Sequence, residues 1–332
     1  MGSRGLPGGV AAGTSFPFRR KAHSMSQSSE QKFTPPAGGM TPLDYVLYGG
    51  SILIWGLAWI GMHFQVGVVA PEVSIVWRYL IATPMMFVFA MTRGESLRYR
   101  LSDHAYFVGL GLTVFSVNYL LFYYAAMQVP SGLLSIQFTL AAIVNVILSA
   151  IVFRTRIDRR IVIGAAFGIA GVAAMFYPEV QGLRLDGGAL LGFVLGLLAT
   201  ISFCSGNMVS LAAQRRRLPV FATLAWAMTY GTAFVAAVAA AKGATFTIDV
   251  RAPYLISLAY ISVVASFVGF GMYFTLLGRI GAARAGYSTV LYPVVALAAS
   301  TVLEGYRWTP LAVAGLVSVM IGVTLVLRQR PE

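Results

Sequence analysis

Acidic residues are scarce in this sequence. Asp and Glu total 11 of 332 residues against 24 Lys and Arg, and all charged residues together make up only 11%. A soluble globular domain carries about 25% charged residues. That deficit, beside 58% hydrophobic residues, excludes an ordinary soluble globule. It points to an all-α polytopic membrane protein, in which each span needs about 20 predominantly apolar residues. The formal charge of +13 would suggest a nucleic-acid partner in a soluble chain. Here positively charged loops on one membrane face account for it, and the expected partners are the lipid bilayer and a small-molecule substrate, with no nucleic acid and a monomeric chain. Cysteine occurs once, as Cys204 within an apolar run, which excludes an intramolecular disulfide and a cysteine-based metal cluster. HExxH, GxSxG and P-loop patterns are absent, so the usual signatures of membrane enzymes and ATP-driven pumps are missing. No catalytic residue, metal or cofactor is expected. Nor does any Asp or Glu fall in the middle of an apolar segment, although proton-coupled carriers usually hold an intramembrane carboxylate or histidine relay. His63, Glu72 and Glu304 are the only candidates for proton coupling, and all stand near segment ends. Proton coupling and facilitated export both stay open.

What is abundant is apolar sequence in long pieces. Ten such segments emerge, at about 44–65, 72–91, 104–126, 130–153, 160–177, 187–211, 219–241, 252–277, 281–303 and 309–327. Residues 1–40 differ in kind, rich in Gly, Ser and Pro, and read as a disordered cytoplasmic tail or extension. With the N-terminus in the cytoplasm, nineteen Lys and Arg fall on the cytoplasmic side and four on the other, which puts both termini in the cytoplasm. Residues 119–153 and 269–303 are two apolar hairpins in register at an offset of 150, with Tyr123 meeting Tyr273 and Val152 meeting Val302. One residue further along, Gly164 meets Gly315 and Gly171 meets Gly322. The chain therefore divides into a first five-helix repeat, 41–180, and a second, 181–332. Five spans is an odd number, so the second copy inserts upside down relative to the first.

Several polar and aromatic residues stand out within the spans. Ser51, Trp55, Trp59 and His63 are spaced four apart, which suits one helix face and the wall of a cavity for a flat substrate; an interfacial aromatic belt with ordinary packing explains them equally well. Phe115, Tyr119 and Tyr123 repeat the spacing in span three, with Asn118 beside them. Span four offers Ser135 and Gln137, span six Ser205 and Asn207, span eight Tyr273 and span nine Tyr287. Buried amides and hydroxyls either contact substrate or bond neighbouring helices. Arg78 is the one charge well inside a segment; it either holds the scaffold through tyrosines and carbonyls or anchors a substrate carboxylate. Pro293, interior to span nine, is a bend and a candidate gating hinge.

Over residues 44–328 the sequence resembles the drug/metabolite transporter superfamily, in particular its ten-span EamA-like exporters. The resemblance rests on SILIWGLAWIG, on VSIVWRYLIA with its Arg78, on YYAAMQVPSGLLSIQ, and on YPVVALAASTVLEG followed by LAVAGLVSVMIGV. Arg154 and Thr155 depart from the pattern, standing where the first copy should carry Glu-Gly, as does Ile143 where it should carry Pro. The resemblance implies a central cavity formed mainly by spans one, three, four, six, eight and nine, and export of amino acids, metabolites or toxic cations across the bacterial inner membrane. The aromatic spans favour aromatic or hydrophobic amino acids. Trp55, Trp59, Tyr119 and Tyr123 are then expected to stack on substrate, Asn118, Ser135, Gln137, Ser205 and Asn207 to bond it, and Tyr273 and Tyr287 to close the second half. The alternatives are a channel-like facilitator, a nucleotide-sugar or other metabolite carrier of the same fold, or, from another class, a membrane-embedded lipid-modifying enzyme.

Overall fold

The computed structural model describes residues 40–153, 159–182, 188–285, 288–303, 305 and 307–327, together with Gly2. All that follows concerns the compact unit Pro35–Glu332. Every regular element among the described residues is a helix. The first, α1, spans Pro42–His63. The Thr41 side chain accepts the Asp44 N–H at 3.3 Å, while the Asp44 carboxylate accepts the Thr41 N–H at 2.9 Å. Two first-turn donors are thereby satisfied reciprocally, and Pro42 sits where its missing N–H costs nothing. Next come α2 (Pro71–Thr92), α3 (Leu101–Leu112) and α4 (Asn118–Ala126). α5 (Ser131–Phe138) and α6 (Leu140–Phe153) form one rod. The remainder are α7 (Arg159–Gly182), α8 (Gly188–Arg215), α9 (Val220–Ala241), α10 (Ala252–Ala259), α11 (Phe270–Ala285), α12 (Ser288–Leu303) and α13 (Pro310–Leu327).

Two of the rods carry π-helical turns. Thr113–Val117 joins α3 to α4, and Tyr260–Gly269 joins α10 to α11. In each, a serine reaches back five residues to a backbone carbonyl: Ser116 Oγ donates to the Gly111 carbonyl at 2.6 Å, and Ser266 Oγ to that of Ile261 at 2.7 Å. The two serines stand 150 residues apart, the offset that relates Tyr123 to Tyr273.

Seven described helices are long and apolar enough to cross a membrane: α1, α2, Leu101–Ala126, Ser131–Val152, α8, α9 and Ala252–Gly281. The other three expected spans hold shorter apolar stretches, Val162–Met175, Leu291–Leu303 and Pro310–Gly322. Gly281 adopts φ 80°, interrupting helical geometry within α11, and α12 is described over Ser288–Leu303. Large apolar side chains such as Leu53, Val88, Ile151 and Leu190 are exposed on the outside of the bundle, as a surface that meets acyl chains requires.

α2 and α9 pack side by side and antiparallel. The Ala222 N–H at the start of α9 donates to Glu95 Oε2 at 2.8 Å, just beyond the end of α2. Lys242 at the end of α9 pairs with Glu72 at the start of α2, at 2.5 Å. Both helices finish in the same cap. Gly94 (φ 70°) donates to the Met91 carbonyl at 2.9 Å and Glu95 to that of Ala90 at 3.0 Å; Gly243 (φ 66°) donates to Ala240 at 3.0 Å and Ala244 to Ala239 at 2.9 Å. This double bond pattern with a left-handed glycine closes off orphan carbonyls. α7 and α13 approach through glycine: a Cβ on Gly171 would lie 2.5 Å from the Gly315 carbonyl, and one on Gly322 2.5 Å from that of Gly164. Any larger residue would force these backbones apart.

Candidate functional site

A half-open cavity lies inside the bundle. α1 contributes Trp55, Ala58, Trp59 and Met62, and α4 contributes Asn118, Tyr119 and Phe122. α5, α8, α11 and α12 each present one ring, Phe138, Phe203, Phe270 and Tyr292, and α2 brings Arg78. The empty space amounts to about 530 Å³ with its mouth included, but only about 60 Å³ can hold the centres of water-sized molecules. That is room for a few waters, so an aromatic metabolite requires the rings to turn aside.

The rings brace one another, some edge to face and some tilted. Trp59 meets Phe122 at 5.0 Å between centroids and Phe138 at 5.6 Å; Trp55 meets Phe270 at 5.0 Å, Tyr273 at 4.7 Å and Phe203 at 6.0 Å. The Trp55 indole N–H donates to the Ala265 carbonyl at 3.1 Å, and the Tyr260 hydroxyl to that of Ile54 at 2.8 Å. α1 is thus tied at two points to the second π turn.

Among the described residues Arg78 is the only charged one lining the cavity, and it is 3% exposed. Its Nε donates to Ser266 Oγ at 2.6 Å, its Nη2 to the Tyr119 hydroxyl at 3.0 Å, and its guanidinium carbon stands 4.2 Å from the centre of the Tyr119 ring. Among the described residues no carboxylate pairs with it. A guanidinium carries five N–H donors; Ser266 and Tyr119 take two of them, and the Tyr123 hydroxyl also lies against it. Both sequence readings of this residue are therefore compatible with its contacts: it grips the scaffold on one side and faces the cavity on the other.

The other candidates separate. Trp55, Trp59, Asn118 and Tyr119 line the cavity together, although Asn118 Nδ2 is also engaged with the Ala199 carbonyl at 2.9 Å. Tyr123 is buried off the cavity, with its hydroxyl facing the Arg78 guanidinium. Ser135 bonds the Gly132 carbonyl at 2.6 Å, and Gln137 the carbonyl of Phe193, and both are away from the cavity. Ser205 bonds the Ile201 carbonyl at 2.9 Å. Asn207 Nδ2 reaches Asn145 Oδ1 and the Tyr273 hydroxyl, both at 3.1 Å, forming a buried cluster behind Trp55. Hydroxyls in helices back-bond to the preceding turn, and amide N–H groups in apolar surroundings take the nearest acceptor; the side-chain oxygens of Gln137 and Asn207 are buried without a hydrogen-bond partner among the described residues. Pro293 is buried within α12, next to Tyr292. Tyr287 and Glu304 lie outside the described residues.

Neither of the described proton-coupling candidates lines the cavity. His63 is exposed in a separate hollow beside Asp249, Arg251 and Tyr254. Steps of four residues drift by about 40° each on an α-helix, so three steps turn His63 roughly 120° from Ser51. Glu72 is 2% exposed and bonded by Lys242 and Tyr124. The Glu72 carboxylate raises the Lys242 ammonium above its ordinary value. At the opposite end of the bundle Arg279 pairs with Asp44 at 2.5 Å.

Phe122, Phe138, Phe203, Phe270 and Tyr292 were not picked out as site residues from the sequence. Phe122 stands three residues beyond Tyr119, and Phe270 three before Tyr273, so each adjoins a residue already chosen. The stripe Phe115–Tyr119–Tyr123 assumed an unbroken α-helix. The π turn at 113–117 changes the rotation between Phe115 and Tyr119, and the cavity takes 118, 119 and 122 instead. Nothing in their local sequence marks Phe138 or Phe203.

Residues 45–177 and 190–328 match the EamA-like transporter family. A probable amino-acid metabolite efflux pump of Escherichia coli (strain K12) is 29% identical over 295 residues, covering 86% of this chain and 94% of the relative. A protein of the same description from Salmonella typhimurium (strain LT2) is 28% identical over 284 residues, covering 82% and 90%. A solved crystal structure superposes with a TM-score of 0.65 at 16% identity, covering 85% of this chain and 95% of its own; at that identity the likeness speaks for the fold alone.

Proposed function

The chain belongs to the EamA-like transporter family, and from that membership we propose that it exports amino acids with aromatic or other hydrophobic side chains across the bacterial inner membrane by alternating access. The observation that carries this reading is Arg78, a buried guanidinium without a carboxylate partner among the described residues, set in the wall of an aromatic cavity. The guanidinium takes the substrate carboxylate through its planar donors. Trp59, Tyr119, Phe122 and Phe138 enclose the side chain. The names of the relatives from E. coli and S. typhimurium, both amino-acid metabolite efflux pumps, support the substrate class. Cationic toxicants are disfavoured, because the cavity's one fixed charge repels them.

The proposed architecture is ten spans in two inverted halves, 41–180 and 181–332, with both termini cytoplasmic. The antiparallel packing of α2 on α9, their identical caps, and the serine-plugged π turns 150 residues apart support it. On this reading exchange through the site proceeds without proton coupling, since among the described residues no Asp, Glu or His lines the cavity. The test is counterflow in proteoliposomes loaded with unlabelled phenylalanine. Labelled phenylalanine should accumulate transiently and saturably, at a rate unchanged between about pH 6 and pH 8, where only histidine has an unperturbed pKa. Uptake without trans-stimulation would make the protein a pore and end the carrier reading.

A further inference from the structure

The charge balance of the cavity says more about its ligand than its aromatic lining does. We infer that the site recognises a single carboxylate and an aromatic or branched apolar body, with no requirement for an ammonium group, so that monoanionic aryl and acyl carboxylates are bound at least as well as the parent amino acid. The inference rests on the reading of Arg78 as the carboxylate anchor and extends it to the rest of the ligand.

Among the described residues the lining supplies one positive charge and no negative one. A monoanion neutralises the guanidinium and brings nothing else that needs solvation. A zwitterion neutralises it too, but carries a second charge into an apolar chamber, and a buried charge without a partner is costly. The polar atoms left for an ammonium are few. The Tyr292 hydroxyl is already engaged with Ser288 Oγ at 2.9 Å, and the Tyr119 hydroxyl accepts from Arg78 at 3.0 Å. Asn118 commits its amide N–H to Ala199 and leaves only its carbonyl oxygen. The rings are no substitute. Trp59, Phe122 and Phe138 spend their edges and faces on one another and Trp55 spends its own on Phe270, and any ring face near Arg78 already lies in the field of a cation. The nearest described carboxylate at that end of the bundle, Glu72, is held by Lys242 and Tyr124 away from the cavity. The site is thus built to read one end of an amino acid.

The test uses the purified full-length chain and four probes that share a phenyl ring: phenylalanine, N-acetylphenylalanine, 3-phenylpropionate and phenethylamine. Trp55 and Trp59 report binding through their fluorescence, and competition against labelled phenylalanine in counterflow reports transport. Expected is that 3-phenylpropionate and N-acetylphenylalanine compete with an affinity equal to that of phenylalanine or better, while phenethylamine is weaker by about a hundredfold, as loss of a charged hydrogen-bond partner implies. If phenylalanine binds and 3-phenylpropionate is more than about tenfold weaker, an ammonium is being recognised and the inference falls, while the amino-acid exporter reading stands. If none of the four binds, both fall. Arg78→Gln should abolish binding of the three carboxylates, and Arg78→Lys should keep part of it. The ranking of ligands is measured on the native chain, so a folding defect in either variant leaves the test decisive.

Discussion

Trp59 is the residue on which the aromatic wall is most exposed to test. It touches Phe122 edge to face and Phe138 at a tilt and is itself 9% exposed, so it faces the cavity with little else to hold. An aromatic pair adds about 0.5–1.5 kcal/mol beyond area burial, and Trp59→Ala should therefore raise the half-saturating concentration for phenylalanine by about two- to tenfold, with Trp59→Phe recovering most of it. Membrane abundance, read by immunoblot, should be unchanged; equal transport by Trp59→Ala and the parent would remove this residue from the wall. The two tryptophans could be found from the sequence because α1 is an unbroken helix, in which four-residue spacing does keep near neighbours on one face. The hydroxyls and amides could not be sorted that way. Ser135 and Ser205 donate to the preceding turn, the Gln137 and Asn207 amide N–H groups to neighbouring helices, and composition alone does not tell a donor aimed at a cavity from one aimed at a carbonyl.

At the scale of the element, the two π turns do what no periodicity argument could foresee. A π turn inserts one residue into the helical ladder and leaves a carbonyl short of its usual donor; Ser116 and Ser266 supply it. The pair differ in one respect. Ser266 also accepts from Arg78 at 2.6 Å, and the same turn gives its Ala265 carbonyl to Trp55. The second π turn therefore joins the cation of the cavity to its aromatic wall, whereas the first is a structural counterpart. Replacing either serine by alanine removes a buried hydrogen-bond partner, at about 1–3 kcal/mol, and should lower thermal stability by similar amounts in both variants. Only Ser266→Ala frees Arg78 Nε, so only it should weaken phenylalanine binding in the fluorescence assay, by about several-fold for one lost hydrogen bond to a charged group. Equal affinity in the two variants would show that the Ser266 bond does not position Arg78. The gating role expected for Pro293 has no such contact to argue from, while the Ala265 and Ser266 bonds give α10 and α11 two.

At the scale of the whole molecule, the glycine contacts bear on how the halves are related. In the sequence Gly164 matches Gly315 and Gly171 matches Gly322; in space Gly171 meets Gly315 and Gly164 meets Gly322. Each residue therefore packs on the counterpart of the other, the reciprocal pattern of a two-fold interface, and the order along the helices is reversed, so α7 and α13 run antiparallel. A two-fold axis exchanging α7 and α13 would lie across them, which is the relation that the proposed inverted halves require. The repeat shows in the sequence as scattered identities; the matching caps at Gly94 and Gly243, and the α7 and α13 glycines on which a Cβ would lie 2.5 Å from a facing carbonyl, support that proposal. The proposed arrangement puts the loops after α2 and α9 on opposite membrane faces. Ser96 and Thr245 are exposed in those loops, and the one native thiol, Cys204, is buried, so single cysteines can be read against a silent background. An impermeant maleimide applied to intact cells should label Thr245→Cys and leave Ser96→Cys untouched until the cells are opened, since the arginines at 93, 98 and 100 mark that loop as cytoplasmic. Labelling of both variants from outside, or of neither, would overturn the inverted arrangement, and labelling of Ser96→Cys alone would keep the inversion and reverse the orientation.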